Sequence, residues 1–479
     1  MATSMNEKSA AYSSGSRAPA HQTSLTPAQI RAMENVVIPE DDVKDKDIHD
    51  IEKRSGGSQT GSDSVHSNND INFRSMHWFH CALVMMAETV SLGILSLPSV
   101  LGSLGLVPGV ILILFFSVLT TYTGYVLGQF KQRYPHVDSM ADAGMVLFGP
   151  IGRDIMGAAA FLFLIFIMAS HVLTFSIMIN VVFDYPFCTI LSMVLGTAIC
   201  IIFTIPKTLR KMAYYSMASS LSVVTAVIIT MVGVSQREFP ERHVDMFRTA
   251  SIVNAFSGVT GICFAFAGHL TFFTFIAEMQ KPEDFWKALA ALQIGDTALY
   301  LTSAIVTYWY VGIDVQSPAL KSAGAILGRV AYGVATPTII ISGVINGHVA
   351  AKYIYIRWIG EDKLKKRTWE STAWWLLLIT LLWIAAWVIA EAIPIFNSLL
   401  GLIAALFISF FSFGACALFW FHLNKGEWFS SKKNIFLFCV NCFILVVDAV
   451  IMVLGLYSSI MTLKDGAPGK VFSCANNGH

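Results

Sequence analysis

From residue 77 onward the chain is a succession of long apolar runs separated by short polar interruptions. A hydrocarbon layer about 30 Å thick takes about 20 apolar residues in a helix. Runs near this length fall at 77–102, 106–130, 154–182, 188–205, 216–235, 252–278, 289–312, 325–356, 371–392, 396–421 and 435–457. They predict an all-α membrane protein with about eleven transmembrane helices. Helices satisfy every backbone N–H and C=O internally, which lipid cannot do. Barrel strands would alternate over about ten residues, and these runs are longer and more uniform. Residues 1–70 have the opposite character, polar and Ser-rich as in SSGS and GGSQTGSDSVHSNND. So little apolar surface cannot offset the entropy of ordering. The expected organisation is a disordered cytoplasmic tail over 1–70, a transmembrane domain over 71–460 and an extracellular tail over 461–479. Lys44, Lys46, Lys53 and the tail serines offer sites for modification or regulatory partners, although an inert tail fits equally well.

Composition agrees with the pattern. Charged residues make up 13% of the 479 and hydrophobic residues 55%, with mean hydropathy +0.62. A soluble domain would carry about a quarter charged residues. The net charge of +1 gives no footing for nucleic acid. The first 70 residues hold no apolar signal segment, so the first span is expected to direct insertion. The cysteines and histidines form no cluster, so no metal is expected.

Orientation follows from Lys and Arg placement. With the N-terminus in the cytoplasm, the inner loops carry roughly seventeen basic residues, Lys131, Lys207, Arg357 and Lys432 among them, against roughly seven outside. An odd helix count then puts the C-terminus outside.

Two spans carry weak points at membrane depth. The first reads HWFHCALVMMAETVSLGILSLPSVLG, where Thr, Ser and Gly weaken the helix and Pro98 removes a backbone donor. The sixth reads GVTGICFAFAGHLTFF, with Gly258, Gly261, Gly268 and His269. Ordinary glycine packing would account for either alone. A pair, in spans one and six, fits a five-plus-five inverted repeat whose discontinuous helices flank a midplane site. Half-helix N-termini attract a carboxylate and unwound carbonyls accept from an ammonium, so the arrangement suits a zwitterion. The candidate carboxylate groups are the N–H groups of Ser91, Leu92, Gly93 and Ile94. Carbonyls near Val90 and from Phe264, Ala265, Phe266 and Ala267 are the candidates for the amine. Phe264, Phe266, His171 and Phe175 are candidate walls, each also explicable as core filling.

Ionisable residues at this depth are costly and face the interior. They are Glu88, His171, His269, Asp296, His348, Glu391 and Asp448. Glu88, beside the proposed break, is the leading candidate for taking up and releasing a proton, with His269 second. Asp296 and Asp448 read as interhelical partners. The stretch TPTIIISGVING on span eight offers oxygens for sodium, but Glu88 favours the proton as coupling ion. No other cofactor is expected.

At these residues the sequence resembles the amino acid/auxin permease family, its fungal neutral amino-acid permeases above all. The matching stretches are AETVSLGILSLP (87–98), LVPGVIL (106–112), SHVLT (170–174), AEMQKPEDF (277–285), VQSPALKSAG (315–324), ISGVING (341–347), WVIAEAIPIF (387–396) and AALFISFFSFG (404–414). They cover nearly the whole membrane region and stop short of the tail. The resemblance implies a LeuT-type fold and proton-driven symport of neutral aliphatic and aromatic amino acids by alternating access. It implies the plasma membrane, with the vacuolar membrane as the alternative. Val90–Ile94 matches the family's helix-one substrate loop and Phe264–His269 its helix-six counterpart. On this topology Cys188 and Cys474 both lie outside, where disulfides persist, and the resemblance implies that they pair. A receptor that binds without transport remains open on the strength of the long tail. A channel is disfavoured by the lack of a filter motif, and an enzyme by the lack of a nucleophile or metal motif.

Overall fold

The computed structural model describes residues 76–183, 187–207, 212–239, 242–360, 363, 368–465, 472 and 474. The tail expected over 1–70 lies outside the described residues. Those described are helical almost throughout. The exception is a pair of main-chain bonds in which Met76 N–H donates to the Glu278 carbonyl (3.1 Å) and Gln280 N–H to the Met76 carbonyl (2.9 Å).

The helices are α1 (Trp78–Thr89), α2 (Leu97–Leu104), α3 (Leu106–Arg133), α4 (Met140–Phe183), α5 (Thr189–Thr204), α6 (Met212–Ser235), α7 (Ile252–Ala265) and α8 (His269–Glu278). They continue with α9 (Phe285–Val311), α10 (Ala325–Trp358), α11 (Trp369–Ala392), α12 (Phe396–Ile403), α13 (Ala415–Leu423) and α14 (Lys432–Asp465). A 3₁₀ turn, Leu92–Leu95, joins α1 to α2, and eleven residues of π-helix, Ala404–Gly414, join α12 to α13. Among the described residues nine helical segments are long and apolar enough to cross a bilayer, and α1 with α2, bent by 51° at their break, makes a tenth. The fourth expected span is the short one, because α5 has 16 residues. α14 runs to Asp465, past the expected boundary at 460.

Local chemistry sets several of the ends. Ser251 caps α7 by accepting from Asn254 N–H (3.2 Å), and Thr368 caps α11 by accepting from Ser371 N–H (3.3 Å). α4 begins earlier than the expected 154 because a short helical segment, MADAGMVLF, precedes the long apolar run. Between them Gly149 adopts φ 70°, followed by Pro150. The earlier segment doubles back, so a Cβ on Gly152 would lie 2.5 Å from the Gly144 carbonyl. α10 packs along α4 and α6, while α14 packs along α7 and the π segment. Outward faces carry exposed Ile111, Val118, Leu221, Ile294 and Val453, apolar surface that a lipid environment accommodates.

Candidate functional site

α1 stops at Thr89. Val90 N–H still reaches the Met86 carbonyl (2.9 Å), and Ser91 N–H turns to the Thr89 carbonyl (3.0 Å). The 3₁₀ turn then opens on the N–H groups of Leu92 and Gly93, as any helix start does. The interruption therefore falls at Val90 and Ser91, just before Gly93. Pro98 does not cause it: it lies in the first turn of α2, where its missing N–H is no loss. α7 stops at Ala265, Ala267 N–H reaches the Phe264 carbonyl (3.2 Å), and α8 restarts at His269 behind Gly268.

The two interruptions touch. A Cβ on Gly93 would lie 2.6 Å from the Ala265 Cα, so only glycine permits this approach. Behind them runs α9. The Thr89 hydroxyl donates to Asp296 Oδ2 (2.7 Å), and one turn on, the Tyr300 hydroxyl donates to the Ala265 carbonyl (2.8 Å). Asp296 Oδ1 is buried without a partner among the described residues.

In front of the interruptions lies a cavity of about 850 Å³, its mouth included. Its wall comprises the ends of α1 and α8, the 3₁₀ turn, α4 through Phe163, Ile167 and His171, α10 through Ser342 and Asn346, and the π segment through Ile408, Phe411 and Ser412. Among the described residues no Lys, Arg or Asp is in that wall, and Glu88 is its carboxyl.

Residues 74–461 match the family model of transmembrane amino acid transporter proteins. The chain belongs to that family. The "N amino acid transport system protein" of Neurospora crassa is 32% identical over 92% of this chain and 97% of its own length. A "Transmembrane transporter" of Gibberella moniliformis is 29% identical, covering 91% and 96%. Among solved structures, MhsT in complex with L-phenylalanine superposes with TM-score 0.50 over 81% of this chain and 98% of that one, at 12% identity. At that identity the likeness speaks for the fold, the expected LeuT type. Transporters, not enzymes, fill this family.

Of the residues proposed from the transporter's sequence, Glu88, Ser91, Leu92, His171, Phe264, Ala267 and His269 line the cavity. The others do not, for packing reasons. Val90 and Ile94 are buried in the bend. Gly93 faces Ala265, and its carbonyl accepts from Ser96 N–H (3.1 Å) and the Ser96 hydroxyl (2.9 Å). The Ala265 carbonyl is likewise taken, by Tyr300. Phe266 sets its ring edge-on against Tyr300, 5.2 Å between centroids. Phe175 turns to α5, where a Cβ on Gly196 would collide with its ring.

The ionisable groups divide by surroundings. Glu88 is partly buried at the cavity wall, with Ser216 of α6 within hydrogen-bond reach. His269 Nε2 lies 3.0 Å from the Thr123 hydroxyl and 3.2 Å from the Thr120 carbonyl, while Nδ1 is buried without a partner among the described residues. The carbonyl assigns the proton to Nε2. His171 Nδ1 meets the Ile339 carbonyl at 3.0 Å. Ser342 and Asn346 sit in the ISGVING stretch singled out for its oxygens, and the π-segment residues in the family-matching stretch AALFISFFSFG, but Phe163 and Ile167 carried no signal beyond hydrophobicity. Contrary to the expectation that the cysteines form no cluster, Cys439 and Cys442 have a C-x-x-C spacing. They lie within α14, and among the described residues no group of three His, Cys, Asp or Glu could hold a metal. Cys188 and Cys474 are joined by a disulfide, S–S 2.05 Å.

Proposed function

We propose that this transporter imports neutral aliphatic and aromatic amino acids by proton symport with alternating access, at the plasma membrane. The observation that carries the reading is the cavity at the meeting of two interrupted helices, apolar and aromatic over most of its wall, with one carboxyl in it. The N–H group of Leu92, at the cavity wall, donates to the substrate carboxylate, and the Ala267 carbonyl beside the second interruption accepts from its ammonium. A charged substrate side chain would find no counter-ion in that wall other than Glu88, whereas an apolar one finds Phe264, Phe163 and Phe411. Burying an unpaired charge costs far more than burying hydrocarbon, so neutral side chains are preferred. The "N amino acid transport system protein" of Neurospora crassa among the relatives supports amino acids as the substrate.

Glu88 is the proton carrier in this reading. It stands next to the end of α1 and opens on the same cavity as the substrate, so loading one site changes the field at the other. His171 and His269 join Ser342, Asn346 and Ser412 in the polar lining. The test is competition uptake of a labelled neutral amino acid against all common amino acids at two external pH values, with and without a protonophore. Uptake should rise as external pH falls and collapse with the protonophore, and neutral competitors should dominate. Uptake indifferent to both treatments would remove the proton, and dominance by basic or acidic competitors would remove the neutral class.

A further inference from the structure

Neither Asp296 nor Tyr300 lines the cavity, yet both are fully buried, and each meets the last residue of an interrupted helix. We propose that this face of α9 is a brace. Asp296 and Tyr300 are positioning residues that hold the ends of α1 and α7 in register and thereby set the affinity for substrate. The inference rests on the cavity being the substrate site.

The last turn of a helix leaves carbonyls without internal partners. At α7 the Tyr300 hydroxyl covers one of them, at Ala265. At α1 the contact is made from the side chain of Thr89 to Asp296. Residues 296 and 300 are one turn apart and so share a face. The Tyr300 ring is itself fixed by the edge of Phe266. The Gly93–Ala265 approach leaves no slack between the two interruptions, so a displacement at either end reaches the other. The groups next to these held ends that face the cavity, the Leu92 N–H and the Ala267 carbonyl, are main chain, which every amino-acid substrate would meet identically. The brace should therefore act on all substrates alike, unlike a wall residue.

The test uses the full-length protein in liposomes, with the inserted protein quantified and initial rates measured against concentration for labelled alanine and phenylalanine. Tyr300→Phe keeps the ring and removes the donor. Asp296→Ala removes the acceptor, and Asp296→Asn retains one. Tyr300→Phe and Asp296→Ala should each raise the apparent KM about five- to tenfold, equally for both substrates. The maximal rate per inserted molecule should change less than about twofold, and Asp296→Asn should restore most of the affinity. Should Asp296→Ala not insert, Tyr300→Phe, which lies outside the cavity wall, carries the test alone. An unchanged KM with only a lower maximal rate or yield would reduce both residues to packing and overturn the brace. A KM shift confined to phenylalanine would overturn it too. Wild-type liposomes that take up neither amino acid would instead refute the substrate reading, and the variants are then compared on the amino acid that does enter.

Discussion

Replacing Gly93 by alanine adds one methyl group at the point where the two interrupted helices meet. That carbon would lie 2.6 Å from the Ala265 Cα and 3.1 Å from the Ala265 nitrogen. The atoms it meets are backbone, fixed by the Tyr300 hydrogen bond, so no rotamer change relieves the clash. Ordinary contact begins near 3.4 Å, and the two chains must part by about 0.8 Å. Overpacking of this kind costs about 1–3 kcal/mol, here borne by main chain beside the groups proposed to hold substrate. At 1.4 kcal/mol per decade the apparent KM should rise roughly ten- to a hundredfold. The assay is concentration-dependent uptake in cells with surface protein quantified, beside Gly333→Ala as control. Gly333 lies within α10 with nothing within 4 Å of its would-be Cβ, so that variant should match wild type. A Gly93→Ala transporter with unchanged KM and surface level would show that the contact does not constrain the site.

Three further outcomes are expected. Glu88→Gln should retain substrate binding and exchange but lose accumulation against a gradient; a variant that still concentrates substrate clears Glu88 of coupling. Phe264→Ala should raise KM several-fold for large apolar amino acids and much less for alanine, and an equal shift for both would take the ring out of the specificity wall. In denatured protein, reductant should expose two more thiols than alkylation finds without it, and substituting either Cys188 or Cys474 should abolish the difference; equal labelling with and without reductant refutes the pairing.

The spans were legible because the bilayer imposes length and apolarity on each of them, so hydropathy alone finds α3 and α9 to within a few residues, while α14 runs on to Asp465, past the apolar run that ends at 457. The interruptions were legible because Thr, Ser and Gly cluster in the first span, and Gly258, Gly261 and Gly268 in the sixth, where a plain span would carry Leu or Val; Pro98, expected to break the first, instead starts α2. Facing was not. Phe175 and Phe264 look alike in sequence, and only the packing of Gly196 against the former and the cavity against the latter separates them. Nor does AALFISFFSFG betray its π-helical hydrogen bonding, since an i→i+5 turn has no residue preference as sharp as Gly at an interruption. Asp296 read correctly as an interhelical partner, but its pairing with Tyr300 one turn away gains meaning only once both helix ends are seen beside it.

The two main-chain bonds between Met76 and the end of α8 give the half-helices α1 and α8 a common foot. So tied, the two are expected to pivot together as a yoke rather than each on its own hinge. A pull on the polypeptide just ahead of Met76 is thus delivered to both leaves at once, and a spectroscopic reporter on either leaf would record the same stroke.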